Sequence, residues 1–126
     1  MIFQKPPKEE IGLIQGMAPD SKEEWWVALA LWKHEVPFEF QWQIAGGRSR
    51  AGGIIVDFVV YNPMKTPLPV HGSYWHKGEM KGADKMDLIA IAQHFKFPIE
   101  NIPVLWAADS ETKEDVEAWV KRNVVR

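Results

Sequence analysis

Residues Ile54 to Tyr61 are a strand-length apolar run with one acid, Asp57, in its middle. A run that apolar is buried on both faces, so it belongs inside a sheet rather than at its margin. The residues two places either side of Asp57 are Ile55 and Val59, so the face that carries the acid is not simply solvent. A charged carboxylate there costs free energy unless a metal or a partner offsets it. Two histidines, His71 and His76, follow at the end of the next apolar segment. With an ordinary pKa of about 6.5, a histidine can take or give a proton near neutrality. Hard cations favour carboxylate oxygen, so the combination points to a metal-assisted hydrolytic site on adjacent strands. An Asp57 satisfied by backbone N–H groups or an arginine fits the same pattern.

The rest of the chain supplies the surroundings. Ser21-Lys22-Glu23-Glu24 has the form of a capping box, with Ser21 as N-cap, and opens a helix running to about Glu35. Trp25, Val27, Ala28, Leu31 and Trp32 are its core candidates, and Pro37 ends it. Phe38 to Ile44 alternates strictly, which predicts a strand with Phe38, Phe40, Trp42 and Ile44 on one face and Gln41 and Gln43 on the other. A glycine-rich turn, 46–53, leads to the Asp57 strand. Asn62 to Pro67 reads as a loop, Leu68 to Gly72 as a third strand, and Tyr74 to Gly82 as a polar segment. Ala83 to Phe97 has helical spacing, with Met86, Leu88, Ile89, Ile91, Ala92 and Phe95 available to a core. Pro103 to Ala108 reads as a fourth strand, and Ser110 or Thr112 caps a last helix. The expected order is αβββαβα: an α/β domain over 21–126 with a mixed sheet of about four strands. Residues 1–20 form an N-terminal arm. The helix between strands three and four makes a crossover, so that pair should be parallel.

Length and composition agree with one domain. The chain has 126 residues, 46% of them hydrophobic, and seven tryptophans, enough for a real core. Without cysteine it has neither a disulfide framework nor a thiolate metal site, which fits a reducing, cytoplasmic setting. No apolar run approaches the ~20 residues of a membrane span, and no membrane partner is expected. The net charge of −2 is unlike a generic nucleic-acid binder. Residues 48–85 nonetheless net +3 while the remainder nets −5. Such a local positive field can steer a polyanion to one face, though a basic, solvated loop has the same composition.

Among individual side chains, His76 is the best general base, held beside Tyr74 and Trp75. His71 fits either a phosphate contact or a place in the core. Glu24 is explained by the capping box, and its carboxylate could also point at the metal from the first helix. The phosphate-loop, dinucleotide-loop, HExxH and GxSxG patterns are all absent.

Three segments together resemble the very-short-patch-repair type of endonuclease, a branch of the PD-(D/E)XK restriction-endonuclease-like superfamily. Ser21-Lys22-Glu23-Glu24 followed by Leu31 and Phe38 is similar to that family's Ser/Thr-x-x-Glu helix start. Val56-Asp57-Phe58 is similar to its metal-binding strand. Val70-His71-Gly72-Ser73-Tyr74-Trp75-His76 is similar to its hydrophobic-His-Gly-x-aromatic-Trp-His signature. The resemblance covers about 21–97, and the Gly46-Gly47-Arg48 to Asp57 arrangement resembles small phage members. It implies that Asp57 and the Val70 backbone carbonyl hold Mg²⁺, for which Mn²⁺ can substitute, with Glu24 supporting the metal shell. It also implies that His76 activates water and His71 sits by the phosphate. Where the superfamily has (D/E)xK, this chain has His71-Gly72-Ser73, without that acid or lysine.

The function expected on these grounds is Mg²⁺-dependent hydrolysis of DNA phosphodiesters. Arg48, Arg50, Lys77 and Lys81 would contact flanking phosphates. A homodimer would be needed to cut both strands. The alternatives are a catalytically inactive nuclease-fold DNA-binding or phage-assembly protein, favoured by the missing triplet, and a protein-interaction domain, favoured by the net charge.

Overall fold

A computed structural model describes residues 11–44, 53–61, 64–70 and 82–125. Its elements are helix α1 (Lys22–Lys33), strands β1 (Phe38–Ile44), β2 (Ile54–Tyr61) and β3 (Lys65–Leu68), and helices α2 (Gly82–Phe95) and α3 (Lys113–Asn123). Single 3₁₀ turns lie at Ile99–Asn101 and Ala107–Asp109. Among the described residues the architecture is α/β, with three helices and a three-stranded antiparallel sheet in the order β1-β2-β3.

Local chemistry sets the helix ends. Ser21 caps α1 by accepting the Glu24 N–H, and Thr112 caps α3 by accepting that of Asp115. Neither Pro37 nor Pro98 is the first stop. Glu35 and Lys96 adopt left-handed φ values of 56° and 53°, and the next amides, Val36 and Phe97, reach back to the Leu31 and Ala92 carbonyls. These six-to-one bonds end α1 and α2 without the usual glycine.

The sheet departs from expectation at its third and fourth strands. β3 forms at Lys65–Leu68, so that Lys65, Thr66 and Pro67 of the expected loop join Leu68, the first residue of the expected third strand. Its Pro67 lies opposite Val59. Tyr61 N–H donates to the Pro37 carbonyl, so Val59 and Tyr61 aim their backbone groups at β1, and the Pro67 nitrogen faces the outer edge, where no donor is needed. The expected fourth strand is reduced, among the described residues, to a single parallel bridge between Val70 and Leu105. Among the described residues the sheet is antiparallel rather than mixed, and the predicted parallel pairing is present as that bridge.

Two cores flank the sheet. One gathers Val27, Leu31, Phe38, Phe40, Phe58, Leu68, Val116 and Val120 between the sheet, α1 and α3. The other gathers Ile44, Val56, Val59, Ile91 and Ile102, with Trp42, Tyr61 and Phe95 packed against it on the α2 side. The expectation of one apolar face along β1 is therefore corrected: Phe38 and Phe40 face α1, whereas Trp42 and Ile44 face α2. Trp32 and Ile89, expected inside, are 43% and 41% exposed. Trp32 still rests its ring against Phe38 and Trp25.

Residues 11–17 are tied to the domain. Ile14 is fully buried. The Gln15 side-chain amide donates to the Phe38 carbonyl at 2.7 Å and accepts the Phe40 N–H at 2.9 Å. One side chain thus covers two outward backbone groups of edge strand β1, as a neighbouring strand would.

Candidate active site

The two described acids that the sequence nominated come together. Glu24 lies in the first turn of α1 and is only 6% exposed. Its backbone N–H donates to Ser21 Oγ at 3.2 Å, completing half of the expected capping box. The other half is displaced: Glu24 Oε1 accepts the N–H of Asp20 rather than that of Ser21. The carboxyl is left beside Asp57, to whose side chain it is hydrogen-bonded. The capping role accounts for one oxygen and does not exhaust the group.

A hydrogen bond between two carboxyls needs a proton, and Glu24 is the group disposed to keep one. Burial raises its pKa most, the Asp57 charge raises it further, and the Asp20 N–H opposes; the balance lies at about 8. Near neutrality Glu24 is mostly protonated and donates to Asp57.

Asp57 stands where the sheet forks. The β2–β3 ladder ends at Phe58↔Leu68. Continued by one step, the Val70 amide would meet the Val56 backbone. It donates instead to Asp57 Oδ2 at 2.8 Å. The chain then leaves β2, and the Leu105 amide bonds the Pro69 carbonyl. Asp57 thus replaces the lost ladder bond, as the backbone-satisfied reading expected, and also carries the contact to Glu24.

The face on which Asp57 lies is set by a slip shared by both strands. Val59 and Tyr61 belong to the α2 core, and simple alternation would put Asp57 with them. Val56 also belongs to the α2 core, whereas Phe58 belongs to the α1 core. Alternation therefore breaks between Asp57 and Phe58, and Asp57 emerges on the α1 side. The opposite strand breaks at the same level. Phe40 pairs with Phe58 and Trp42 with Val56, which leaves Gln41 across from Asp57. Gln41 has φ 59°. A left-handed residue without glycine's freedom costs roughly 1 kcal/mol or more and persists only where its surroundings impose it. The alternation of β1 sets Gln41 on the face opposite Phe40 and Trp42. It gave no sign of the backbone conformation, because nothing in an alternating pattern encodes a positive φ.

His71, His76, Arg48, Arg50, Lys77 and Lys81 lie outside the described residues. Among the described residues, no group of three or more His, Asp or Glu side chains could hold a metal. The pair offers two hard carboxylate oxygen donors, a chemistry that suits Mg²⁺ or Mn²⁺ once completed by backbone carbonyls and water. A concavity lined by Val60, Thr66, Glu100, Trp119 and Asn123 shares no residue with the pair. No described helix is long and apolar enough to cross a membrane.

Comparison of the chain with protein-family models, with curated proteins and with solved structures finds no match.

Proposed function

We propose that this chain is a metal-dependent DNA endonuclease of the restriction-endonuclease-like superfamily, in its very-short-patch-repair-like branch. The observation that carries the reading is the meeting of Glu24 and Asp57 at the fork between β2 and β3. Two acids 33 positions apart in sequence, each nominated separately, share one locus on two elements. In extended backbone the N–H and C=O of a residue point to the same side. A Val70 carbonyl on the side of its amide would supply a third oxygen to the same ion.

A bound Mg²⁺ would polarise the scissile phosphate and offset the charge that develops on it. Asp57 and Glu24 would hold it, Glu24 giving up its proton as it does so. The Val70 amide holds Asp57 Oδ2 in place. His76 would take the proton of the attacking water, and His71 would lie at the phosphate. Arg48, Arg50, Lys77 and Lys81 would grip flanking phosphates, so that binding falls steeply with salt. A homodimer would serve double-strand cutting, and the cytoplasm is the expected compartment.

A second reading, an inactive nuclease-fold DNA-binding or phage-assembly protein, has its own support. The acid pair is satisfied without a metal, by a shared proton and the Asp20 and Val70 amides. The missing (D/E)xK triplet points the same way.

One experiment separates them. Labelled duplex, nicked, mismatched, branched and single-stranded DNAs are incubated with wild type, Asp57→Asn and His76→Ala in Mg²⁺, Mn²⁺ or EDTA. Metal-dependent cleavage lost in both variants supports the endonuclease. Salt-dependent DNA binding without cleavage, by a folded wild type that takes up no Mn²⁺, supports the inactive protein.

A further inference from the structure

The slip in β1 and β2 has one backbone cause within reach of both strands. Register is unchanged across it: Phe38↔Val60 and Phe40↔Phe58 before, Trp42↔Val56 and Ile44↔Ile54 after. No residue is inserted, so an ordinary bulge, which sets two residues against one, does not explain the change of face. What differs is the conformation of Gln41, the one β1 residue with positive φ. A single left-handed residue in an extended strand rotates the chain beyond it, and with it every later side chain. Phe38 and Phe40 accordingly face α1, and Trp42 and Ile44 face α2. The partner strand follows, because its side chains share faces with those opposite: Phe58 and Val60 stay with Phe40 and Phe38, and Val56 and Ile54 move with Trp42 and Ile44.

Asp57 sits at the level of the rotation. Without it, Asp57 would keep the side of Val59 and Tyr61, and its carboxylate would enter the apolar α2 core. With it, Asp57 meets Glu24 on α1 and the amide of Val70.

We infer that Gln41 is the positioning residue of this site: its left-handed backbone turns Asp57 from the α2 face of the sheet to Glu24. The inference deepens the metal-dependent reading and rests on it for one of its two readouts.

The test compares substitutions that permit the left-handed region with one that resists it. Gln41→Gly and Gln41→Asn retain the conformation. Gln41→Val, β-branched and at home in regular strands, resists it. The first readout needs no metal: nuclear Overhauser contacts between the Asp57 β-protons and the Glu24 γ-protons, with folding checked by circular dichroism. The second is Mn²⁺ affinity by calorimetry. The expected result keeps the contacts and the wild-type affinity in the Gly and Asn variants. In a folded Val variant the contacts vanish and affinity falls roughly tenfold or more, the scale for groups that orient ligands. Contacts retained in a folded Val variant overturn the inference, as does their loss in the Gly and Asn variants, which would assign the effect to the Gln41 side chain. If the Val variant does not fold, Gln41→Ala, which resists less, is read by the same two outcomes. A wild type with the contacts but no Mn²⁺ binding refutes the metal reading and leaves the positioning role standing.

Discussion

Replacing Glu24 by Gln should remove a large, specific part of the pH dependence of stability. The Glu24 carboxyl is raised from 4.5 to about 8 in the folded protein, chiefly by burial and then by the Asp57 charge. A raised acid binds its proton more tightly when folded, so its contribution is complete below pH 4.5 and is lost as pH climbs to about 8. One proton with that displacement gives a slope of about 1.4 kcal/mol per pH unit in the window. The whole interval is worth at most about 5 kcal/mol, and relaxation of the site reduces this to about half. Gln reproduces the protonated carboxyl: its oxygen accepts the Asp20 N–H and its amide donates to Asp57. The two proteins should therefore match within about 1 kcal/mol at pH 4.5 and diverge steadily above it. By pH 8 the variant should be the more stable by about 2–5 kcal/mol, a large share of the 5–15 kcal/mol of a typical domain. Urea midpoints at half-unit steps from pH 4.5 to 9 give the difference curve, in which groups common to both proteins cancel. Parallel curves across that window would falsify the shared-proton account.

The other expectations concern the metal, the core and the backbone. Mn²⁺ should raise the melting temperature of wild type but not of Asp57→Asn, and its apparent affinity should improve up to tenfold per pH unit towards pH 8, since Glu24 must release its proton; a pH-independent shift shared by the variant would place the ion elsewhere. Phe58→Ala, at the junction of the rings of Phe38 (5.6 Å) and Phe40 (5.1 Å), should cost about 3–5 kcal/mol in denaturant unfolding, and a loss under 1 kcal/mol would contradict its full burial. Gln15→Ala should cost about 1–2 kcal/mol and speed exchange of the Phe40 amide, because both edge groups lose their partner; unchanged exchange would refute the clamp. Glu35→Gly should stabilise by about 0.5–1 kcal/mol by relieving the left-handed end of α1, and a lower urea midpoint would count against that motif.

What could be read in the sequence was local. The Ser21 cap, the extents of β1 and β2 and the Thr112 cap follow from side-chain chemistry and periodicity within a few residues. β3 was hidden by Lys65, Thr66 and Pro67, which read as a loop because the pattern does not reveal that this strand lies at an edge, where a missing donor costs nothing. The docking of residues 11–17 was hidden because it rests on a glutamine amide imitating backbone across more than twenty positions.

The candidate site shows where such reading stops. Glu24 and Asp57 were each nominated from their own surroundings, but alternation groups Asp57 with Val59, whose side chain packs in the α2 core. Period-two logic holds only while every φ stays extended, and Gln41 breaks that condition at the one level where an acid lies across the sheet. Were the strands regular, Asp57 would be a carboxylate buried against Val59 and Tyr61, an arrangement that costs several kcal/mol unless the group is neutralised. The strain at Gln41 is smaller than that penalty, so the fold that rotates the acid to Glu24 and the Val70 amide is the cheaper one. The polar group that makes β2 anomalous as sequence thus lies at the level where Gln41 turns the backbone from regularity.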